Sequence, residues 1–225
     1  MCSAASNFVS RLQSEFAEHA DSEAAAGMKT YLRDQFEFFG IRTPRRRQLL
    51  RAFLLDHPLP ALPVLRKVVR LLWEQDHREL QHNAMELLHL RGKELTLDEL
   101  PLLEHIITTK SWWDTVDFVA YRLVGSLLAR HPDEEGIIAR RFSDSGNLWL
   151  IRTSILFQLL RKDRTNLALL AEMIDAHRSH PDFFIRKAIG WALRDYAKTD
   201  PDWVIIFVNN RDLSPLSRRE ALKNL

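Results

Sequence analysis

An all-α fold is predicted by three features of the chain. Leu, Ala, Arg and Glu dominate it, while seven glycines and nine prolines punctuate 225 residues. Straight-chain and small side chains lose little on entering a helix, whereas glycine and proline interrupt one. Apolar residues recur at steps of three and four, as in Val64, Leu65, Val68, Leu71 and Leu72, which is the helical period. The breaks in that period fall at residues that cap or turn.

Taken in order, the period predicts helices over 4–20, 23–39 and 44–57. The third opens on Thr43-Pro44, a hydroxyl cap before a first-turn proline whose missing N–H costs nothing there. Helices over 60–75, 77–91 and 97–109 follow. The spans 112–131, 133–142, 147–161, 165–178, 181–198 and 201–209 complete the run to a last helix over 214–224. Ser214-Pro215 repeats the cap-and-proline device there, and Ser217 with Glu220 offers an alternative capping box. Consecutive helices pair with a combined period of roughly 35–40 residues, the range of HEAT-like arrays. The expected architecture is a curved solenoid of antiparallel helix pairs with a concave basic face. No shift in composition marks a linker, so residues 1–225 read as one domain.

An apolar content of 46% supplies ample core, and a net charge of +2 is too small to announce a nucleic-acid partner by itself. The distribution of charge has to carry that. A single cysteine, Cys2, leaves no intramolecular disulfide and no cysteine-based metal cluster, which suits a reducing compartment. The opening Met-Cys-Ser-Ala-Ala-Ser-Asn lacks a secretory pattern, and no window reaches the roughly 18 apolar residues of a membrane span. A cytoplasmic location of bacterial type, at the nucleoid, is expected.

The most informative stretch is Lys110-Ser-Trp-Trp-Asp-Thr-Val-Asp117. Four residues separate Trp113 from Asp117, so a helix places an indole and a carboxylate on one face. Phe184, Lys187, Trp191 and Arg194 follow at spacings of three, four and three, a second stripe. Aromatic walls around one anion suit a cationic ligand or transition state. Arginines gather at Arg42, Arg45, Arg46, Arg47 and Arg51, at and just inside a helix start where backbone N–H groups also favour phosphate. Arg152 stands three residues after Trp149. Damaged DNA, at once polyanionic and locally cationic, satisfies both patterns. Each feature alone also has a bland reading: core indoles for Trp113, Trp149 and Trp191, a surface carboxylate for Asp117, interior packing for Tyr31, a solvated face for the arginine run. His77, His82, His89 and His105 lack the two-per-turn spacing of a metal helix, and neither a phosphate-binding glycine loop nor Gly-x-Ser-x-Gly occurs.

Several motifs together closely resemble the AlkD family of DNA alkylation repair glycosylases. They are Met28-Lys-Thr-Tyr31, Gly40-Ile-Arg-Thr-Pro-Arg-Arg-Arg-Gln-Leu-Leu50, Thr109-Lys-Ser-Trp-Trp-Asp-Thr-Val-Asp117 and Asn147-Leu-Trp-Leu-Ile-Arg152. Ile155-Leu-Phe-Gln158, Phe183-Phe-Ile-Arg-Lys-Ala-Ile-Gly-Trp-Ala-Leu-Arg-Asp-Tyr-Ala-Lys198 and Leu213-Ser-Pro-Leu-Ser-Arg-Arg-Glu-Ala221 extend the match over nearly the whole chain. The resemblance implies excision of cationic N-alkylated purines such as 3-methyladenine and 7-methylguanine from duplex DNA, without metal or organic cofactor. It puts Asp117, Trp113 and Trp191 at the catalytic positions and Arg152 and Tyr31 at functional positions of the cleft. The chemistry sets Arg152 and Lys187 on phosphates beside the lesion, with Phe184 on the same DNA-facing stripe, and Arg45, Arg46 and Arg47 on flanking duplex. A monomer without an obligate protein partner or a membrane is expected. Two other readings stay open: a catalytically silent relative that binds distorted DNA, and a protein-interaction scaffold. Ser-Asp-Ser-Gly-Asn before Arg152 and Gln158-Leu-Leu-Arg-Lys depart from the family pattern.

Overall fold

The computed structural model describes residues 3–225; Cys2, on which the reading of a reducing compartment rests, lies outside the described residues. All regular elements among them are helical, apart from an isolated parallel bridge between Glu37 and His77. The all-α expectation is met. Two compact units form, Met1–Glu94 and Leu95–Leu225.

The first unit contains α1 (Ala4–Ala17), α2 (Ser22–Tyr31), α3 (Thr43–Asp56), α4 (Leu62–Glu74) and α5 (Arg78–Leu90). Ser3 starts α1 by accepting from the Ser6 N–H at 3.2 Å. The helix then buries Phe8, Leu12 and Phe16 toward α4, whose Leu65, Val68 and Leu72 are fully buried. Each such side chain contributes about 1.5–3 kcal/mol relative to exposure. Phe8 meets Phe53 of α3 edge-on, with centroids 5.2 Å apart.

The predicted helix over 23–39 stops at Tyr31 instead. Arg33 and Asp34 take φ of 58° and 57°, left-handed values that end a right-handed helix. Phe36, Phe38 and Phe39 therefore belong to an irregular segment, in which Phe38 and Phe39 are buried. Glu79 of α5, fully buried, secures it: its carboxylate accepts from the N–H groups of Phe39, Gly40 and Ile41 at 3.1, 2.9 and 3.0 Å. Gly40 has φ of +93°, and a Cβ there would lie 2.0 Å from the Asp21 carbonyl oxygen. Only glycine fits.

The second unit contains α6 (Leu100–Thr108), α7 (Trp113–Phe118), α8 (Gly125–Leu128), α9 (Pro132–Ser143), α10 (Leu148–Leu156), α11 (Leu167–His177), α12 (Phe183–Tyr196), α13 (Pro201–Asn209) and α14 (Pro215–Ala221). The stretch predicted as one helix over 112–131 is α7 and α8 joined by a π-helical turn, Val119–Val124. Close packing accompanies this widening. A Cβ on Gly125 would sit 2.0 Å from the Phe157 carbonyl oxygen, and the Gly125 carbonyl accepts from Arg161 Nη2 at 2.8 Å. The predicted span 147–161 ends at Leu156, with Leu160 and Lys162 at φ of 66° and 56°.

Helix α14 is capped by Ser214, whose Oγ accepts from the Ser217 N–H at 3.1 Å. The alternative capping box is not used, because Glu220 is paired with α12. No helix among the described residues is long and apolar enough to cross a membrane.

Candidate active site

Helix α6 ends where Thr109 and Ser111 turn their hydroxyls back onto the carbonyls of His105 and Ile107, both at 2.6 Å. The Ser111 bond serves a carbonyl of the last helical turn, where intrahelical donors run out, and the Thr109 hydroxyl adds to the bond that its own N–H makes to His105. Lys110, with φ of 47°, reverses the chain, and extended Trp112 precedes the first turn of α7. Trp113 and Asp117 consequently stand one turn apart on that helix.

Asn147 opens α10 by accepting from the Trp149 and Leu150 N–H groups at 3.0 and 3.2 Å. Asp182 opens α12 by accepting from the Phe184 N–H at 2.6 Å. Between these anchored starts, Arg152 of α10 reaches both neighbours. Its Nε donates to Asp117 Oδ1 at 2.7 Å and its Nη2 to Asp117 Oδ2 at 2.8 Å, while Nη1 donates to the Phe184 carbonyl. Arg152 thus fastens the helix of Trp113 and Asp117 to the helix of Trp191. Trp191 itself is half-buried on α12, two turns beyond Phe184.

The pair is almost dry, with side-chain exposures of 5% for Arg152 and 13% for Asp117. Burial pushes the Asp117 carboxyl up from its ordinary value, the Arg152 guanidinium pulls it down, and Asp114 adds a smaller upward push, leaving it raised. Two of the roughly four lone-pair positions of a carboxylate are spent on Arg152. The other two are not engaged by Arg152.

Beside the pair, Trp112, Trp149 and Phe184 form an aromatic cluster with centroids 5.9, 5.2 and 5.0 Å apart. Phe183, half-exposed, meets Phe184 edge-on at 5.5 Å. Phe184, predicted to face DNA, is therefore part of this wall and half-buried. Trp112 belongs to the same wall, a role that the pairing of Trp113 with Asp117 on one face concealed.

The basic residues divide. Arg152, predicted as a phosphate anchor, spends its guanidinium on Asp117 and Phe184, and only 4% of its surface is exposed. Arg46, predicted on flanking duplex, is 3% exposed and pairs with Glu86 at 2.6 Å and Asn83 at 2.6 Å. Burial closes both to a phosphate in this conformation. Arg45 and Arg47 are exposed, bonded to Gln48 at 2.9 Å and Glu86 at 2.8 Å. Tyr31, 72% exposed, ends α2 in the first unit with those arginines. Lys187 of α12 pairs with Glu220 at 3.1 Å.

A family model described as DNA alkylation repair enzyme matches residues 12–225. Among solved structures, the chain is similar to a predicted DNA alkylation repair enzyme from Enterococcus faecalis, at 34% identity and a TM-score of 0.86, over 92% of this chain and 96% of that one. It is also similar to AlkD2 from Streptococcus mutans, at 17% identity and a TM-score of 0.67, over 99% of both chains. At that identity the likeness concerns the fold. No curated protein matches the sequence. Agreement of the motifs, the helical fold and the match over almost the entire length places this chain in the family of DNA alkylation repair enzymes.

Proposed function

We propose that this protein is a DNA glycosylase that hydrolyses the N-glycosidic bond of positively charged N-alkylated purines in duplex DNA, and that it works as a monomer without a cofactor. The observation that carries the reading is Asp117, held at both oxygens by Arg152 and one helical turn from Trp113.

Cleavage of this bond builds positive charge on the deoxyribose before water has fully bonded. An alkylated base already bears that charge and departs neutral, so no general acid is needed and one carboxylate suffices where ordinary glycosidases employ two. Asp117 stabilises the sugar cation and orients the attacking water through the lone pairs that Arg152 leaves unused. Trp113 and Trp191 turn π-faces to the sugar, contributing roughly 0.5–2 kcal/mol each as its charge develops. That attraction grows toward the transition state and therefore raises rate as well as affinity.

Arg152 is assigned here as a positioning residue. A bidentate guanidinium fixes the carboxylate plane and opposes the burial that would otherwise protonate it. Phosphate contact beside the lesion falls to Lys187, and Arg45, Arg47 and Tyr31 are the duplex-binding groups of the first unit. Most glycosylases extrude their target base; reaching the sugar from the backbone side would let this one act on a stacked lesion.

The test is to incubate purified protein with methylated duplex and identify freed bases by chromatography. Release of 3-methyladenine or 7-methylguanine is expected. Retention of duplex without any freed purine would favour the catalytically silent reading.

A further inference from the structure

Helix α12 carries Lys187, Trp191 and Arg194 at spacings of four and three, on one stripe. Glu220 of α14 engages both cations of that stripe. Its Oε1 lies 3.1 Å from Lys187 Nζ and its Oε2 2.7 Å from Arg194 Nη1, one oxygen per cation. The carboxylate is 12% exposed, whereas Lys187 and Arg194 are 36% and 22% exposed. Lys187 first, and Arg194 with it, hold the Glu220 carboxyl below its ordinary value, so it is ionised at neutral pH.

Docking of α14 has other supports. Gly190 allows the helices to touch, since a Cβ there would lie 2.4 Å from Glu220 Cβ and 2.8 Å from the Ser217 carbonyl oxygen. Buried Ser217 donates its hydroxyl to the Arg186 carbonyl at 2.9 Å. A hydrophobic residue at position 220 would serve that contact as well. What the carboxylate adds is a single negative charge with two oxygens, set between two accessible cations. A phosphodiester presents the same pattern with its two non-bridging oxygens.

We infer that Glu220 is an internal stand-in for a DNA phosphate, occupying Lys187 and Arg194 until the duplex backbone displaces it. This rests on the glycosylase reading and adds a device for discrimination. Exchange of one monoanion for another gains little net charge attraction, so affinity for undamaged duplex is held down at this point. Contacts with the lesion then decide which duplex stays, in keeping with specificity as a difference of affinities.

The experiment is salt-titrated binding of the full chain to unmodified duplex, with Glu220→Gln, Glu220→Asp and a Lys187→Ala/Arg194→Ala double variant. Glu220→Gln should bind more tightly at low salt, with a log–log salt slope steeper by roughly 0.9, the increment for the one phosphate that the two freed cations take up. Glu220→Asp, keeping the charge, should retain the slope of the native chain, and Glu220→Gln added to the double variant should not steepen the slope, since no cation is left there to free. A purely structural Glu220 predicts a lower melting temperature in Glu220→Gln and no change of slope, which overturns the inference. If Glu220→Gln does not fold, Glu220→Met, which keeps the contact with Gly190, takes its place: an unchanged slope there overturns the inference too. Alkylpurine release by the native chain is scored separately. Release with an unchanged Glu220→Gln slope removes this inference alone, and a steeper slope without release removes the glycosylase reading alone.

Discussion

Arg152 grips Asp117 by both carboxylate oxygens, at 2.7 and 2.8 Å, across 35 residues of sequence. The fork does two things at once. It sets the orientation of the only carboxylate proposed to meet the sugar, and it supplies a fixed positive charge that opposes the rise that burial imposes on that carboxyl. Because the third donating arm holds the Phe184 carbonyl, geometry at Asp117 is tied to the placement of α12 and hence of Trp191.

Base release should therefore depend on pH through Asp117. Burial raises its folded-state value above the ordinary one, and the ionised form is the active one, so release falls as pH drops through that raised value. Arg152 is what pulls it down. Arg152→Gln removes the pull, the value climbs further, and the acid limb of the single-turnover profile should move to higher pH. Arg152→Lys, retaining charge without the fork, should move it less. A limb that stays in place in Arg152→Gln would assign it to another group.

Breaking the pair should cost stability. Removing one partner of a buried ion pair leaves the other uncompensated, at about 3–5 kcal/mol. Asp117→Ala is expected near that range in urea unfolding. Asp117→Asn keeps an acceptor for one arm of Arg152 and should lose clearly less. Equal losses in the two variants would mean that the uncompensated charge of Arg152, and not the lost hydrogen bond, sets the cost.

Two glycines should resist alanine. The Gly125 and Gly190 contacts with the Phe157 carbonyl and with α14 leave no room for a methyl group. Overpacking of this kind costs typically about 1–3 kcal/mol. Chemical denaturation of Gly125→Ala and Gly190→Ala measures it, with Gly27→Ala as the control, since nothing lies within 4 Å of a Cβ there.

Much of this structure is legible in local sequence. Thr43-Pro44 and Ser214-Pro215 stand at helix starts within a residue of the predicted ones; Ser214 caps α14 as expected, whereas Arg42 holds the cap position of α3 without a side-chain bond and Thr43 lies inside the first turn, so its hydroxyl is not the cap. Trp113 and Asp117 share a face because helical period alone puts them there. The breaks are less legible. Phe36, Phe38 and Phe39 continue the apolar spacing of α2, and it takes distant groups to make their irregular backbone favourable: Glu79 satisfies the N–H groups of Phe39, Gly40 and Ile41, and the Asp21 and Arg78 N–H groups bond the Phe39 and Glu37 carbonyls. The π turn over Val119–Val124 accompanies the close packing of Gly125 on Phe157, a distant contact that spacing does not announce. Partner choice is the least legible feature. Arg152 looks like a phosphate anchor, Arg46 like its neighbours, and Glu220 like half of a capping box, until tertiary packing supplies Asp117, Glu86 and α12.

The most direct measurement is single-turnover release of 3-methyladenine and 7-methylguanine from methylated duplex by the native chain and by Asp117→Asn, at matched duplex occupancy. We expect the native chain to free the purines and the variant to do so roughly 10²-fold more slowly or worse, with duplex affinity little changed. Equal rates from both proteins, with the variant folded and bound, would contradict the role given to Asp117.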